Sequence, residues 1–336
     1  MKSGVILEKF VKELLTENIL MRISSRYKVE RKALTFIGGF ENYIYGFEKD
    51  NKSYVVRVSH SSHRDLEDIK SELDFVFYLA TNGAKVSMPV LTIDQNLVEK
   101  IDASDGSYFI ISAFTKAEGK APKIEDFSTD FFINYGKVIG QFHRLTQNYT
   151  PSPGIKKRFV WYEDQVLVEA DKYLDTNDKI ILDRLKEVMD EIKKIPKTHE
   201  NFGLIHTDVH MGNFFIKDNQ FTVFDFDDAS YHYFISDIAI FLYYLTWFTN
   251  EVDRLKYGNF FMINFMKGYK EEFNLSKEDF IHIDKFLKLR EILLYINVYK
   301  TLDVEKDEFA KRYIERYRDK IINRVRFIEL NFEDYI

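Results

Sequence analysis

Leu204-Ile205-His206-Thr207-Asp208-Val209-His210-Met211-Gly212-Asn213, followed by Val223-Phe224-Asp225-Phe226-Asp227-Asp228, decides how this 336-residue chain is read. Two short apolar runs bracket polar side chains that hydrophobicity alone would never place there. Transfer of a phosphoryl group to a hydroxyl asks few groups of a protein: a carboxylate to accept or orient the hydroxyl proton, and oxygen ligands to hold magnesium on the nucleotide phosphates. Asp208 offers the carboxylate, and Asn213 and Asp225 offer hard oxygen ligands suited to magnesium. The competing reading is a polar turn, with an Asp capping a helix and an Asn in a left-handed position. A lone His-x-Asp pair would not separate the two; the whole spaced set between apolar strands favours the chemistry.

The pattern differs on either side of this segment. Upstream, residues 33–37, 42–48 and 53–59 read as strands, with Gly38-Gly39 and Lys49-Asp50-Asn51 as turns between them. Residues 64–80 read as a helix, and 97–102 and 107–113 as strands joined by the loop Ala103-Ser104-Asp105-Gly106. At the N-terminus Leu7, Phe10, Val11, Leu14 and Leu15 have the spacing of an amphipathic helix. Past residue 119 the signal turns helical: Phe131, Tyr135, Val138, Phe142 and Leu145 mark one helix face. Further helices are predicted near 176–194, 235–248, 254–272, 279–301 and 305–331, with a β-like island at 213–225. The expectation is an α+β protein, with a small strand-rich lobe over 1–113 and a larger, mainly helical lobe over 114–336.

Composition narrows the function. The 48 basic and 54 acidic residues leave a net charge of −6, which argues against a nucleic-acid partner bound by phosphate neutralisation. With no cysteine there is no disulfide, no thiolate nucleophile and no cysteine-ligated metal. Aromatic residues make up 16% of the chain, so rings should build much of the core. Glu8, Glu13 and Glu17 are wrong for a signal peptide. The most apolar run, Ile238 to Phe248, falls short of the roughly 20 residues a membrane span needs. A cytoplasmic protein with no membrane partner is expected.

His206-x-Asp208-x-x-x-x-Asn213, followed by an apolar strand ending at Asp225, resembles the signature of the aminoglycoside phosphotransferase and choline kinase superfamily. The resemblance runs from about residue 30 to residue 250 and implies a protein-kinase-like bilobal fold, with a nucleotide-binding N-terminal lobe and a C-terminal lobe carrying the catalytic loop and acceptor site. It implies Asp208 as catalytic base, Asn213 and Asp225 as magnesium ligands, and His206 as a structural residue. The strand–turn–strand from Phe36 to Tyr45 is similar to the family's Gly-x-Asn-type turn, where Gly38 and Gly39 would let the backbone approach phosphates; any tight hairpin can also hold Gly-Gly. In Ser53-Tyr54-Val55-Val56-Arg57-Val58 the strand period puts Val55 and Arg57 on one face. The resemblance implies Val55 over the adenine, Arg57 (where Lys is usual) on the α/β-phosphates, and Glu72 as the partnering carboxylate; an edge-strand Arg with a surface Glu is the alternative.

Phe109 to Phe114, followed by Gly119, resembles the family's inter-lobe hinge, with backbone groups near Ser112 and Phe114 on the adenine edge. Without the resemblance it is a buried strand entering a loop. Asp227, Asp228 and His232 suit a cationic or polyhydroxyl substrate, a second magnesium, or a solvated turn. The resemblance implies Asp237 as a brace below the catalytic loop; read alone it is a helix N-terminal carboxylate. His143 reads as structural, and His60 and His63 as loop residues.

The expected activity is transfer of the γ-phosphoryl group of ATP, with Mg2+, to a hydroxyl of a small molecule, which the acidic run 225–228 tilts towards a cationic one. Two alternatives stand beside it: a bacterial protein Ser/Thr kinase of the stress-response type, and a non-catalytic nucleotide-binding module. The second has no need of Asp208 together with Asn213 and Asp225. Helices beyond residue 250 match no pattern; the resemblance implies that they and the insert around 150–200 help to form the acceptor pocket, and so set the acceptor's identity.

Overall fold

In the computed structural model, which describes residues 10–39, 42–174 and 176–336, the chain opens with a helical turn over 10–14 and helix α1 (Glu17–Arg26). Leu7 of the expected N-terminal helix, and Phe40 and Glu41 of the expected glycine turn, lie outside the described residues. An antiparallel sheet follows, made of β1 (Thr35–Gly38), β2 (Tyr43–Lys49) and β3 (Lys52–His60), then β4 (Pro89–Val90), β5 (Val98–Asp102) and β6 (Tyr108–Thr115). Its order is β1-β2-β3-β6-β4, with β5 also paired to β6. Asp50 and Asn51 join β2 to β3 with φ of 51° and 57°, the two left-handed central residues that a two-residue hairpin matched to strand twist requires.

Side chains on β6 alternate with the period of a strand. Phe109, Ile111 and Ala113 pack with Ile19, Leu20 and Ile23 of α1, while Ile110 faces the other way, onto Ile69 and Leu73. The latter belong to helix α2 (Leu66–Thr81), inserted between β3 and β4 and started by a reciprocal cap between Asp65 and Asp68. Further along α2, Phe75, Val76 and Leu79 join the core of the C-terminal part. One helix therefore ties the sheet to the rest of the chain, and Glu72 sits midway along it.

The C-terminal part is mainly helical. It contains α3 (Thr129–Thr146) and α4 (Lys179–Lys193), the strands β7 (Phe202–Ile205), β8 (Phe214–Lys217), β9 (Gln220–Val223) and β10 (Ser230–Tyr233), then α5 (Ile235–Thr246), α6 (Glu251–Glu272), α7 (Ile283–Thr301) and α8 (Glu308–Ile322). Helices α3 and α6 meet backbone to backbone: a Cβ on Gly268 would lie 1.8 Å from the Ile133 carbonyl oxygen. β7 pairs with β10 and β8 with β9, so residues 206–213 and 224–229 are held between two small ladders.

Two expected helices are shorter than their patterns, one ending early and one beginning late. The pattern over 305–331 stops at Ile322, and Arg324 just beyond turns left-handed (φ 55°); Phe327, Ile328 and Leu330 then bury themselves as irregular chain, with Arg254 Nη1 donating to the Phe327 carbonyl at 2.8 Å. The pattern over 279–301 is broken by a short turn, Lys277–Phe280, before α7 begins. Among the described residues no helix is long and apolar enough to cross a membrane.

Candidate active site

Strand β7 delivers the chain into a loop anchored from beneath. Asp237, in the first turn of α5, accepts a hydrogen bond from the Thr207 amide at 2.9 Å and lies 3.3 Å from His143 Nε2. Thr207 takes a left-handed φ of 63°, and its hydroxyl reaches the main-chain carbonyls of His206 and Asp228. His206 donates from Nε2 to the Phe224 carbonyl (3.1 Å) and accepts at Nδ1 from the Asp208 amide (3.3 Å), which fixes one neutral tautomer; burial holds its pKa down. The His206 ring thereby links the loop before Asp208 to the one that presents Asp225.

Asp208 has partners on both carboxylate oxygens. Oδ2 accepts from Asn213 Nδ2 at 3.1 Å and faces His210 Nε2 at 3.3 Å, while Oδ1 accepts from Arg290 Nη2. Burial pushes this carboxyl up, but Arg290 and His210 outweigh it and hold Asp208 at about 2. The same Arg290 Nη2 donates to the Tyr244 hydroxyl at 2.5 Å, and the guanidinium lies 4.8 Å from the Tyr244 ring centre.

On the sheet side, Arg57 meets Glu72 through both terminal guanidinium nitrogens, Nη1 at 2.8 Å, and neither side chain is more than 5% exposed. Arg57 Nη1 is also 3.9 Å from both Asp225 and Asp227. Asp225, left-handed at φ 66°, keeps half of its side-chain surface open to the cleft, yet the protein packed around the carboxyl withdraws water from it; this desolvation, against the pull of Arg57 and with repulsion from Asp227, Glu72 and Asp228, lifts it to about 7. Asp228 is lifted to about 7 as well, by burial and by Asp227 and Asp208 acting against Arg64. So much negative charge on one rim calls for a cation.

Three cavities meet here. The first, about 430 Å³, is an apolar slot between sheet and helices, lined by Val55, Val76, Phe114, Phe215 and Phe224, with Arg57, Glu72 and Asp225 at one end. The second, about 290 Å³, continues past Arg57 and Asp225 to Gly39, Asn42, Asn213 and Asp208. The third, about 410 Å³, opens on the far side of Asp208 and Asp228, between Asp164, Tyr244 and the α7 residues Arg290, Leu293, Leu294 and Asn297. Asp208 belongs to the walls of both the second and the third.

Of the residues singled out in the sequence, Gly39, Val55, Arg57, Glu72, Phe114, Asp208, Asn213, Asp225, Asp227 and Asp228 all line these cavities. At Gly39, φ is +132° and a Cβ would sit 1.8 Å from the Asn42 carbonyl oxygen, so glycine is required; Gly38 has φ +154° and lines none of these three cavities. Ser112 is a correction. It pairs with Arg57 on one side and Val98 on the other and is buried in the sheet, so its backbone groups are spent on the ladders; Lys116 and Ala117 reach the apolar slot instead. His232 lies deeper, stacked on Trp161 at 4.9 Å beside a small cavity of about 60 Å³. Asp227 is no solvated turn: it is buried, 2.6 Å from His63 Nε2 and 3.5 Å from Arg64 Nε. His63 is thus more than a loop residue.

Reading the sequence missed Arg290, Tyr244 and Asp164. A signal existed for the first: Arg290, Leu293, Leu294 and Asn297 share one helical face, and an Arg on such a face needs a buried partner.

The donor set near Asp225 fits magnesium brought with a nucleotide. Asn213 uses its amide nitrogen on Asp208, which leaves its amide oxygen for a cation beside the Asp225 carboxylate. Among the described residues no three His, Asp or Glu side chains converge as a ready-made cage. Magnesium typically keeps its waters and takes one or two protein oxygens plus phosphates.

Comparison with known proteins follows the same line. The model of the phosphotransferase enzyme family matches residues 32–269. An amicoumacin kinase of Bacillus subtilis (strain 168) is 31% identical over 310 residues, covering 91% of this chain and 92% of the relative. A solved amicoumacin kinase in complex with AMP-PNP, Ca2+ and Ami superposes with a TM-score of 0.91 at 28% identity, over 98% of this chain and 99% of the other. A spectinomycin phosphotransferase in complex with ADP and its antibiotic shares the fold, with a TM-score of 0.57 at 16% identity over 95% and 96% of the two chains.

Proposed function

The chain belongs to the phosphotransferase enzyme family, and from that footing we propose that it phosphorylates a hydroxyl of a small amino alcohol, with Asp208 orienting the acceptor. It is an ATP-dependent kinase acting on a small molecule. The observation carrying the finer reading is the position of Asp208: it and Asp228 both line the phosphate-side and acceptor-side cavities, but Asp208 alone of the two is held by Asn213 on the phosphate side and by Arg290 on the acceptor side. The purine lies in the apolar slot under Val55 and against Phe114, and its phosphates run past Gly39 to Arg57. Asn213 and Asp225 hold magnesium, which when bound neutralises phosphate charge. In the transfer, the acceptor oxygen bonds to the γ-phosphorus as the bond to the β-phosphate oxygen breaks, and the hydroxyl proton passes towards Asp208. With Asp208 held at about 2, its part is orientation of the hydroxyl more than early removal of the proton, as a loose transition state allows.

Asp228 is half exposed and pairs through Oδ1 with Arg64 at 2.7 Å; with Asp164 on the wall of the same cavity it still leaves an acidic lining that favours a cationic amine on the acceptor. The named substrate of the 31% identical relative, amicoumacin, heads the list of compounds to try. A cavity of about 410 Å³ walled by α7 suits a small molecule better than a polypeptide hydroxyl. The setting is cytoplasmic, where ATP and magnesium are supplied. The test is calorimetric titration of ATP with and without magnesium, then phosphate transfer across a panel of amino alcohols including amicoumacin. Magnesium-dependent binding with turnover of a panel member is expected; absence of nucleotide binding overturns the reading.

A further inference from the structure

Arg290 is bound unevenly. Its Nη2 serves both Asp208 and Tyr244, its Nε is buried with no hydrogen-bond partner, and its Nη1 makes no hydrogen bond among the described residues. Nε is walled off, so Nη1 is the donor left for a visitor, and Arg290 lines both the 410 Å³ cavity and the 60 Å³ pocket behind it. The two terminal nitrogens of a guanidinium are bonded to one carbon and point as a planar fork. An atom accepting from Nη1 therefore lies beside the atom held at Asp208 Oδ1.

We infer that Arg290 selects acceptors bearing an oxygen, carbonyl or hydroxyl, on the carbon next to the phosphorylated hydroxyl. This rests on the reading of Asp208 as the residue that orients that hydroxyl. The reacting hydroxyl meets Asp208 while the neighbouring oxygen accepts from Arg290 Nη1, so one side chain positions both the carboxylate and the substrate. An acceptor without that oxygen leaves the Arg290 fork half unpaired beneath the bound molecule, which costs binding and alignment together.

The test uses three small acceptors with the same aminomethyl carbinol: isopropanolamine, with no neighbouring oxygen; aminopropanediol, with a hydroxyl there; and isoserinamide, with a carbonyl. Wild-type enzyme should favour one or both oxygenated members by about tenfold or more in kcat/KM, and which one it favours identifies the source of the oxygen. Arg290→Met should level the series. Arg290→Lys keeps a cation near Asp208 but has no second prong, so it too should level it, and it guards against a misfolded methionine variant. Equal handling of all three by the wild type, or the same fold loss on all three in both variants, overturns the inference. If none is phosphorylated while Mg-ATP still binds, the amino-alcohol reading beneath it fails as well.

Discussion

Arg57 and Glu72 are joined side by side by two hydrogen bonds in the space between the sheet and helix α2. The strand period sets Arg57 on the face that looks at α2, and α2 brings Glu72 to meet it while its other residues fill the core on both sides. The pair is buried, so its parts are unequal in consequence. Removing one partner strands a charge, whereas removing both leaves an apolar gap.

Glu72→Leu should therefore lower stability by about 3–5 kcal/mol and weaken Mg-ATP binding, because Arg57 is no longer aimed at the phosphate cavity. The double variant Arg57→Met/Glu72→Leu should recover much of the stability and none of the nucleotide affinity. Thermal melting beside ATP titration separates the two. If the double variant recovers ATP binding, Arg57 has no phosphate role.

Asp208→Ala should reduce turnover by on the order of 10³-fold or more with nucleotide affinity nearly unchanged, since the proposed role faces the acceptor. Single-turnover transfer measured next to ATP calorimetry checks this. A fall in ATP affinity matching the fall in rate would move Asp208 to the phosphate side.

Asp225→Ala should remove most of the magnesium dependence of ATP binding and leave magnesium-free binding little changed. Asp227→Ala should behave differently, because Asp227 is a buried hub for His63, Arg64 and Arg57 and its loss should appear first as a lower melting temperature. Magnesium dependence that survives Asp225→Ala would leave the metal assignment without support.

The candidate site segment was legible in the sequence because its polar residues contradict the apolar strands around them, and such contradictions concentrate at functional sites. The hairpin at Asp50-Asn51 was legible for a local reason, left-handed backbone at residues that tolerate it. Ser112 shows where a linear motif fails: nothing local tells that strands β3 and β5 close on it from both sides. Arg290 was missed for a related reason. Its partner Asp208 is 82 residues away, and only the packing of α7 against the loop brings them together. The early stop of the last helix escaped notice because Phe327, Ile328 and Leu330 are apolar at spacings a helix also uses.

His232 offers a pH test of the acceptor side. Its ring is sandwiched near Trp161 and Phe286, with Nδ1 accepting from the Tyr233 amide, and burial, helped by Lys197, pushes it down to about 3. A histidine with its pKa lowered by folding contributes stability that is full above about 6.5, its unfolded value, and is lost as pH falls towards the folded value, because only the unfolded chain takes up the proton. The slope is about 1.4 kcal/mol per pH unit at most. Asp225 and Asp228, lifted to about 7, run the other way: the folded chain takes up protons there before the unfolded one does. The acid profile of the wild type alone therefore mixes opposing slopes. The difference between wild type and His232→Phe does not, since the phenyl ring keeps the stack on Trp161 and cannot be protonated. Whatever advantage the wild type holds at pH 7.5 should shrink, then reverse, as pH is lowered to 5, read by urea unfolding at each pH. A difference that stays constant with pH would mean that His232 titrates in the folded protein much as it does in the unfolded chain.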